Sequence, residues 1–136
     1  IPKERMKAGR EHSVPLSQAA WDVLQQARGL WTDGTEPAGL IFPGTKNKPI
    51  SDMTLTQLLR RMQQPYTVHG FRASFRTWGA DIAHYEHDML EIALSHIVGD
   101  ATVRAYHRSD MVEKRRRLMG EWAMYLQDKS SVAAPQ

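Results

Sequence analysis

The sequence predicts a mainly α fold with a small antiparallel β-sheet near the N-terminus. Three observations lead there. Apolar residues recur three and four apart through most of the chain, the spacing of one helix face. Two short runs, 3–7 and 12–16, flank Ala8-Gly9 and read as paired strands. The 136 residues are 41% hydrophobic and 24% charged, which suits one globular domain with one core.

The elements follow in order. The second strand reads His12-Ser13-Val14-Pro15-Leu16. Ser17 is a suitable N-cap for a helix over about 18–30, with Ala20, Val23, Leu24, Ala27 and Trp31 on one stripe. Asp-Gly and Pro make 32–39 a loop, and Leu40-Ile41-Phe42 is a short apolar run ended by Pro43-Gly44. Ser51 can cap a helix over 52–62 with Leu55, Leu58, Leu59 and Met62 inward, and Pro65 interrupts the pattern. A longer helix is expected over 68–83, its stripe formed by Phe71, Phe75, Trp78 and Ile82. The next covers about 86–95 with Met89, Leu90, Ala93 and Leu94, closed by Gly99. A short helix to about His107 precedes the last, which Ser109 caps and which runs to about Gln127 with Met111, Leu118, Trp122 and Tyr125 inward. Residues 130–136 read as a flexible tail behind a folded part at 1–129.

The composition excludes several classes. No apolar run approaches the ~20 residues that span a bilayer. The first ten residues hold four Lys/Arg and no apolar core, so no signal peptide is visible. With no cysteine, there is no disulfide framework, thiol nucleophile or cysteine zinc site. This fits a cytoplasmic location. The chain starts at Ile1, not at methionine, which reads as an internal cut.

The net charge of +3 is mild, but the charges are segregated. Residues 41–80 carry Lys46, Lys48, Arg60, Arg61, Arg72 and Arg76 against Asp52 alone. Residues 104–117 add Arg104, Arg108, Lys114, Arg115, Arg116 and Arg117 against Asp110 and Glu113. Between them, 81–100 holds five acids and no Lys or Arg. A basic face and an acidic, solvated face are the expectation, with nucleic acid as the partner if the basic segments converge.

Four places carry candidate chemistry. In His69-Gly70-Phe71-Arg72, residues three apart share a helix face. His69 and Arg72 therefore point together while Phe71 points to the core, and Arg76 extends the line. An imidazole beside a guanidinium suits a phosphate, because Arg offers a planar fork to two oxygens. His96 follows an apolar helix, a place where a histidine more often serves as a cap. Tyr106 lies in Ala105-Tyr106-His107-Arg108, and Lys7 sits at the mouth of the Ala8-Gly9 turn. A lysine at such a turn is normally solvent-facing.

Taken in order, these motifs resemble the tyrosine recombinases, the site-specific DNA integrases of phages and genomic islands. The likeness covers about 1–127 and is nearest to integrases of satellite-phage and island type. It rests on Arg5-Met6-Lys7, His12-Ser13-Val14-Pro15-Leu16-Ser17, His69-Gly70-Phe71-Arg72, Phe75-Arg76-Thr77-Trp78, and the basic run 114–117 followed by Met119 and Trp122. The resemblance implies that Tyr106 is the nucleophile forming a 3′-phosphotyrosine and that Arg72 is a catalytic arginine. It implies that His69 and His96 contact the phosphate, and that Lys7 protonates the leaving 5′-oxygen. It implies no cofactor and no metal. The partners it implies are double-stranded attachment sites, a homotetramer in the synapse that exchanges C-terminal segments, and accessory DNA-bending proteins. The location it implies is the cytoplasm, at the bacterial nucleoid, and membranes have no part.

The mechanism follows from the side chains. A phenol has a pKa near 10, so Tyr106 needs a base or a cationic surround to attack. Arg and His donors stabilise the charge that spreads over the phosphate oxygens. One departure matters: the family has a further arginine, followed by an acid, upstream of the hairpin lysine, and nothing before Lys7 matches it. The fold is thus expected to be a recombinase catalytic domain truncated at its N-terminus, and the fragment to be inactive alone. Lys46, Lys48, Arg60, Arg61 and Arg76 are the expected non-catalytic DNA contacts. Two alternatives compete. A non-catalytic DNA-binding regulator would explain the basic segments. A metal-dependent nuclease would need His69, His96 and the acids of 81–91 to converge.

Overall fold

The structure is a computed structural model that describes residues 1–29, 40–44, 46, 48–99 and 111–132. They fall into two units, Ile1–Gln18 with Ser74–Gln136, and Ala19–Ala73. The helices in chain order are α1 (Gln18–Gly29), α2 (Thr54–Arg61), α3 (Val68–Thr77), α4 (His87–Ala93) and α5 (Met111–Val132). Helical periodicity in the sequence anticipates each of them.

In the first unit, Phe75 and Trp78 from the end of α3 and the turn after it pack with Met89 and Leu90 of α4 and Met111 and Leu118 of α5. Leu90 and Leu118 are fully buried. Trp122 extends the core through aromatic contacts, edge-on to Phe75 at 5.6 Å and tilted against Trp78 at 4.9 Å. Tyr125 stacks on Trp122 at 5.6 Å. Such pairs add roughly 0.5–1.5 kcal/mol each beyond the area they bury.

The long helix expected over 68–83 is not uniform. Trp78–Ile82 is a π-helical turn, in which the Ala83 N–H reaches back five residues to the Trp78 carbonyl. The extra residue breaks the 3.6 period, so Phe75 and Trp78 are buried while Ile82 is 56% exposed. Gly79 lies in this turn, buried against α4. A methyl there would overlap the Leu90 side chain, whose Cγ stands 3.3 Å from its position.

The expected N-terminal sheet does not form; the described residues contain no strand. Residues Lys3–Arg5 make a 3₁₀ turn instead. The Pro2, Lys3 and Met6 carbonyls accept from Arg5, Met6 and Gly9, each three residues on. These local bonds use the groups that a ladder would need, and Pro2 and Pro15 bring no N–H to one. The chain does reverse at Gly9, which has φ +61°. Ile1 and His12 then exchange hydrogen bonds of 2.7 and 3.0 Å across the reversal. Isolated pairing occurs between Pro43 and Pro49.

In the second unit, the Thr67 hydroxyl accepts the Gly70 N–H at 3.0 Å and caps α3. The stripe of α2 does not turn inward as expected: Leu55, Leu58 and Met62 are 45–56% exposed. Periodicity fixes which residues share a face but not whether a neighbour covers it. Phe71 is exposed as well. Helix α2 closes before Pro65, at Gln63, whose φ is +54°. Helix α5 continues to Val132, into the stretch expected to be a tail. The short helix expected before His107, the Ser109 cap, Trp31 and the 32–39 loop lie outside the described residues. No described helix is long and apolar enough to cross a membrane.

Because Leu90 is fixed on all sides, Gly79→Ala is expected to destabilise the first unit by about 1–3 kcal/mol, the usual cost of overpacking. Chemical denaturation of the two proteins measures it; equal midpoints would contradict the packing described.

Candidate functional site

The best-defined polar cluster lies in the first unit, around Glu91 in the last turn of α4. Arg76 donates from Nε to Glu91 Oε1 at 2.6 Å. His96 Nδ1 meets the other oxygen, Oε2, at 2.5 Å. His87 Nε2 stands 3.8 Å from Oε1, and its Nδ1 faces Asp88 at 3.4 Å. The Glu91 side chain is only 14% exposed, whereas those of Arg76 and His96 are nearly half exposed. The carboxylate thus sits beneath two cationic or polar heads that reach solvent. Hydrogen bonds from Arg76 first and His96 second hold its pKa down to about 2, against the opposing effect of burial. A depressed carboxylate pKa stabilises the fold at pH above about 4.5, and that contribution fades as pH falls towards about 2.

The backbone places His96 as firmly as the side chain does. Helix α4 ends with Leu94 as its cap and Ser95 in the left-handed region at φ +61°. The Ser95 N–H bonds the Ile92 carbonyl at 2.9 Å and the His96 N–H bonds the Glu91 carbonyl at 2.8 Å. This pair of bonds is a Schellman motif. Residues 91 and 96 are therefore tied twice, main chain to main chain and side chain to side chain. The helix closes at Ser95, not at Gly99 as expected. Serine occupies a position where glycine is the usual residue.

His96 also lines a groove of about 890 Å³ together with Ala8, Gly9, Arg10, Lys3 and Arg115. The turn bearing Lys7 adjoins this groove; Lys7 itself is exposed. One edge is held by Arg115, which is 6% exposed. Its Nη1 donates to the Ser13 carbonyl at 2.7 Å and its Nε to the Met111 carbonyl at 3.2 Å. Burial lowers the pKa of this guanidinium.

The basic run 114–117 is thereby divided among different tasks. Arg115 anchors the N-terminal segment, Arg116 pairs with Glu113, and Arg117 donates to Glu121 at 2.7 Å. Glu121 also accepts the Tyr85 hydroxyl at 2.8 Å. Burial first, and that bond second, push the Tyr85 phenol up to about 12, so this tyrosine stays protonated and is not set up as a nucleophile.

His69 and Arg72 lie in the second unit, on α3 and within its first two turns after the Thr67 cap. His69 is exposed and Arg72 half-buried. The unit boundary falls inside α3, and Arg76 belongs to the first unit. Lys46 and Lys48 are exposed on the loop closed by the Pro43–Pro49 pairing and by the Gly44 N–H on the Lys48 carbonyl at 2.7 Å. Arg60 and Arg61 are exposed in the last turn of α2. Arg76, grouped with these as a DNA contact, pairs with Glu91. Tyr106 lies outside the described residues. Among the described residues, no three His, Asp or Glu side chains are placed to hold a metal ion.

Glu91 is the residue that motifs in the sequence do not single out. It lies within an acidic run expected to form a solvated face. An available signal was its place in the last turn of a helix, where the macrodipole disfavours an acid unless a cation compensates.

Comparison with known proteins finds similar sequences. Over 127 residues the chain is 35% identical to the prophage integrase IntA of Escherichia coli K12. The chain is similar to phage and prophage integrases. It is 33% identical to the prophage integrase IntZ of the same strain and 34% identical to the integrase of Enterobacteria phage P4. Each match takes in 89–90% of this chain and 28–30% of the relative, so the chain spans under a third of these integrases. No protein-family model and no solved structure matches it.

The left-handed serine gives a direct test of the Schellman closure. Ser95→Gly removes a left-handed penalty of roughly 1–2 kcal/mol. It also frees the unfolded chain, at a cost of about 0.4–1 kcal/mol. A net gain of about 0.5–1 kcal/mol is expected in urea denaturation; a loss would contradict the assigned geometry.

Proposed function

We propose that this chain is part of the catalytic domain of a tyrosine-type site-specific DNA recombinase, one that integrates or excises a prophage or genomic island. The observation that carries the reading is the groove shared by His96 and the turn beside Lys7, in a relative of the integrases. Its second support is His69 and Arg72, three apart on a capped helix, a spacing suited to one phosphate.

In this reading the Tyr106 oxygen attacks the scissile phosphorus while His69 takes the phenol proton. The bond from phosphorus to the 5′-oxygen breaks, and Lys7 supplies the proton that the leaving oxygen needs. Arg72 and His96 hold the non-bridging oxygens as charge builds on them. The covalent 3′-phosphotyrosine keeps the bond energy, so attack by another 5′-hydroxyl reseals the strand without ATP or a cofactor. A further arginine and its acidic partner come from outside these 136 residues, as does the remainder of the DNA grip. The 136-residue chain alone is accordingly expected to give no robust cleavage. The working assembly is a homotetramer on two attachment sites, with accessory DNA-bending proteins, in the cytoplasm at the nucleoid.

The test uses the full-length protein that carries this chain and a nicked duplex built from the junctions of its mobile element. A covalent protein–DNA adduct is expected, and Tyr106→Phe is expected to abolish it. Binding without any adduct would establish the non-catalytic DNA-binding regulator instead.

DNA binding is expected to be chiefly to phosphates and steeply salt-dependent. Lys46, Lys48, Arg60 and Arg61 bind them in the second unit. Reversing Arg60 and Arg61 to Glu is expected to weaken binding at low salt. For every phosphate no longer neutralised, the slope of log affinity against log salt should fall by about 1. Unchanged affinity in a filter-binding titration would remove these two arginines from the interface.

A further inference from the structure

We propose that Glu91 is a positioning residue for His96, and that Arg76 acts through it rather than on DNA. The inference deepens the recombinase reading and rests on it for the role of His96. Its structural content stands apart from that reading.

The chemistry starts from the carboxylate. An ionised carboxylate can only accept hydrogen bonds, so the imidazole nitrogen 2.5 Å from Oε2 carries its proton towards Glu91. That nitrogen is Nδ1. The bond sets the orientation of the ring, and Nε2, the opposite nitrogen, becomes the donor to a phosphate oxygen when the ring takes up a second proton, a form that the carboxylate behind it favours. An isolated carboxylate could rotate and release the ring. Here the second oxygen is held by Arg76 Nε at 2.6 Å, so the plane of the carboxylate is set by a guanidinium from another element. Among the described residues, His87 Nε2 also approaches Oε1, at 3.8 Å, and His87 in turn faces Asp88.

Three features argue for position over simple pairing. Glu91 is the least exposed member of the cluster, although surface ion pairs gain little from geometry alone. The Schellman bond from the His96 N–H to the Glu91 carbonyl fixes the same two residues by an independent route. His96 itself lines the groove while Glu91 and Arg76 do not. The arrangement has the logic of a histidine whose tautomer and orientation are set by an acid behind it. Arg76 belongs to the same device.

The expected result has two parts. In the 136-residue chain, long-range ¹H–¹⁵N spectra should find the neutral His96 ring protonated on Nδ1. In Glu91→Ala the proton should shift to Nε2. In the full-length protein, Glu91→Ala should slow adduct formation on the nicked duplex by about 10–100-fold, within what placement of a proton-handling group contributes. Glu91→Gln keeps an acceptor of the same length and should recover most of that loss. Should Glu91→Ala fail to fold, Glu91→Gln and Arg76→Gln carry the measurement. The proposal is overturned if Glu91→Ala forms adduct at the wild-type rate. It is equally overturned if the His96 tautomer is unchanged, or if Glu91→Gln is as slow as Glu91→Ala while folded. If even the wild-type protein forms no adduct, the recombinase reading fails, and the tautomer measurement alone decides whether Glu91 orients His96.

Discussion

The first unit depends on the aromatic seam between the end of α3 and α5. Phe75, Trp78, Trp122 and Tyr125 lock these two elements together around the buried Leu90 and Leu118. Arg76 sits between Phe75 and Trp78 in sequence. With those two rings committed to the core, its own side chain leaves on another side of the helix, where it meets Glu91 of α4. The close approach of Gly79 to Leu90 sets how near α4 lies to this turn. The polar cluster is thus a by-product of apolar packing: the core fixes the two elements, and the carboxylate is left spanning them.

The helices were legible because their stripes are strong. Met111, Leu118, Trp122 and Tyr125 recur with one period and lie inward or half-buried. The basic run was legible in part. Arg115 is four beyond Met111 and three before Leu118, so it falls on the inward stripe. Glu113 with Arg116, and Arg117 with Glu121, stand at the spacings that let helix side chains pair. By these spacings the run is one buried anchor and two surface pairs, not a uniform cationic patch. The sheet was misread because two strand-like runs around a glycine turn say nothing of competing three-residue turns, which Pro2 and Lys3 initiate. The exposure of α2 was not legible at all, since amphipathicity names a face without naming its cover.

The candidate site divides in the same manner. Motif order singles out His96 and Lys7, and His96 shares a groove with Ala8 and Gly9 of the turn beside Lys7. His69 and Arg72 were found from their spacing on one helix. Glu91 was hidden because its partners are 15 residues upstream and five downstream, distances at which no local pattern signals contact. Residues grouped by spacing leave motifs. Residues that aim other residues often leave only a misplaced charge.

The bond from Arg115 to the Ser13 carbonyl spans 102 residues of chain. A contact of that separation is slow to form, because the chain entropy lost in closing so long a loop comes before the contact rewards it. During synthesis the bond that ties the N-terminal segment to α5 cannot form until α5 has left the ribosome. Assembly of the groove thus waits for α5.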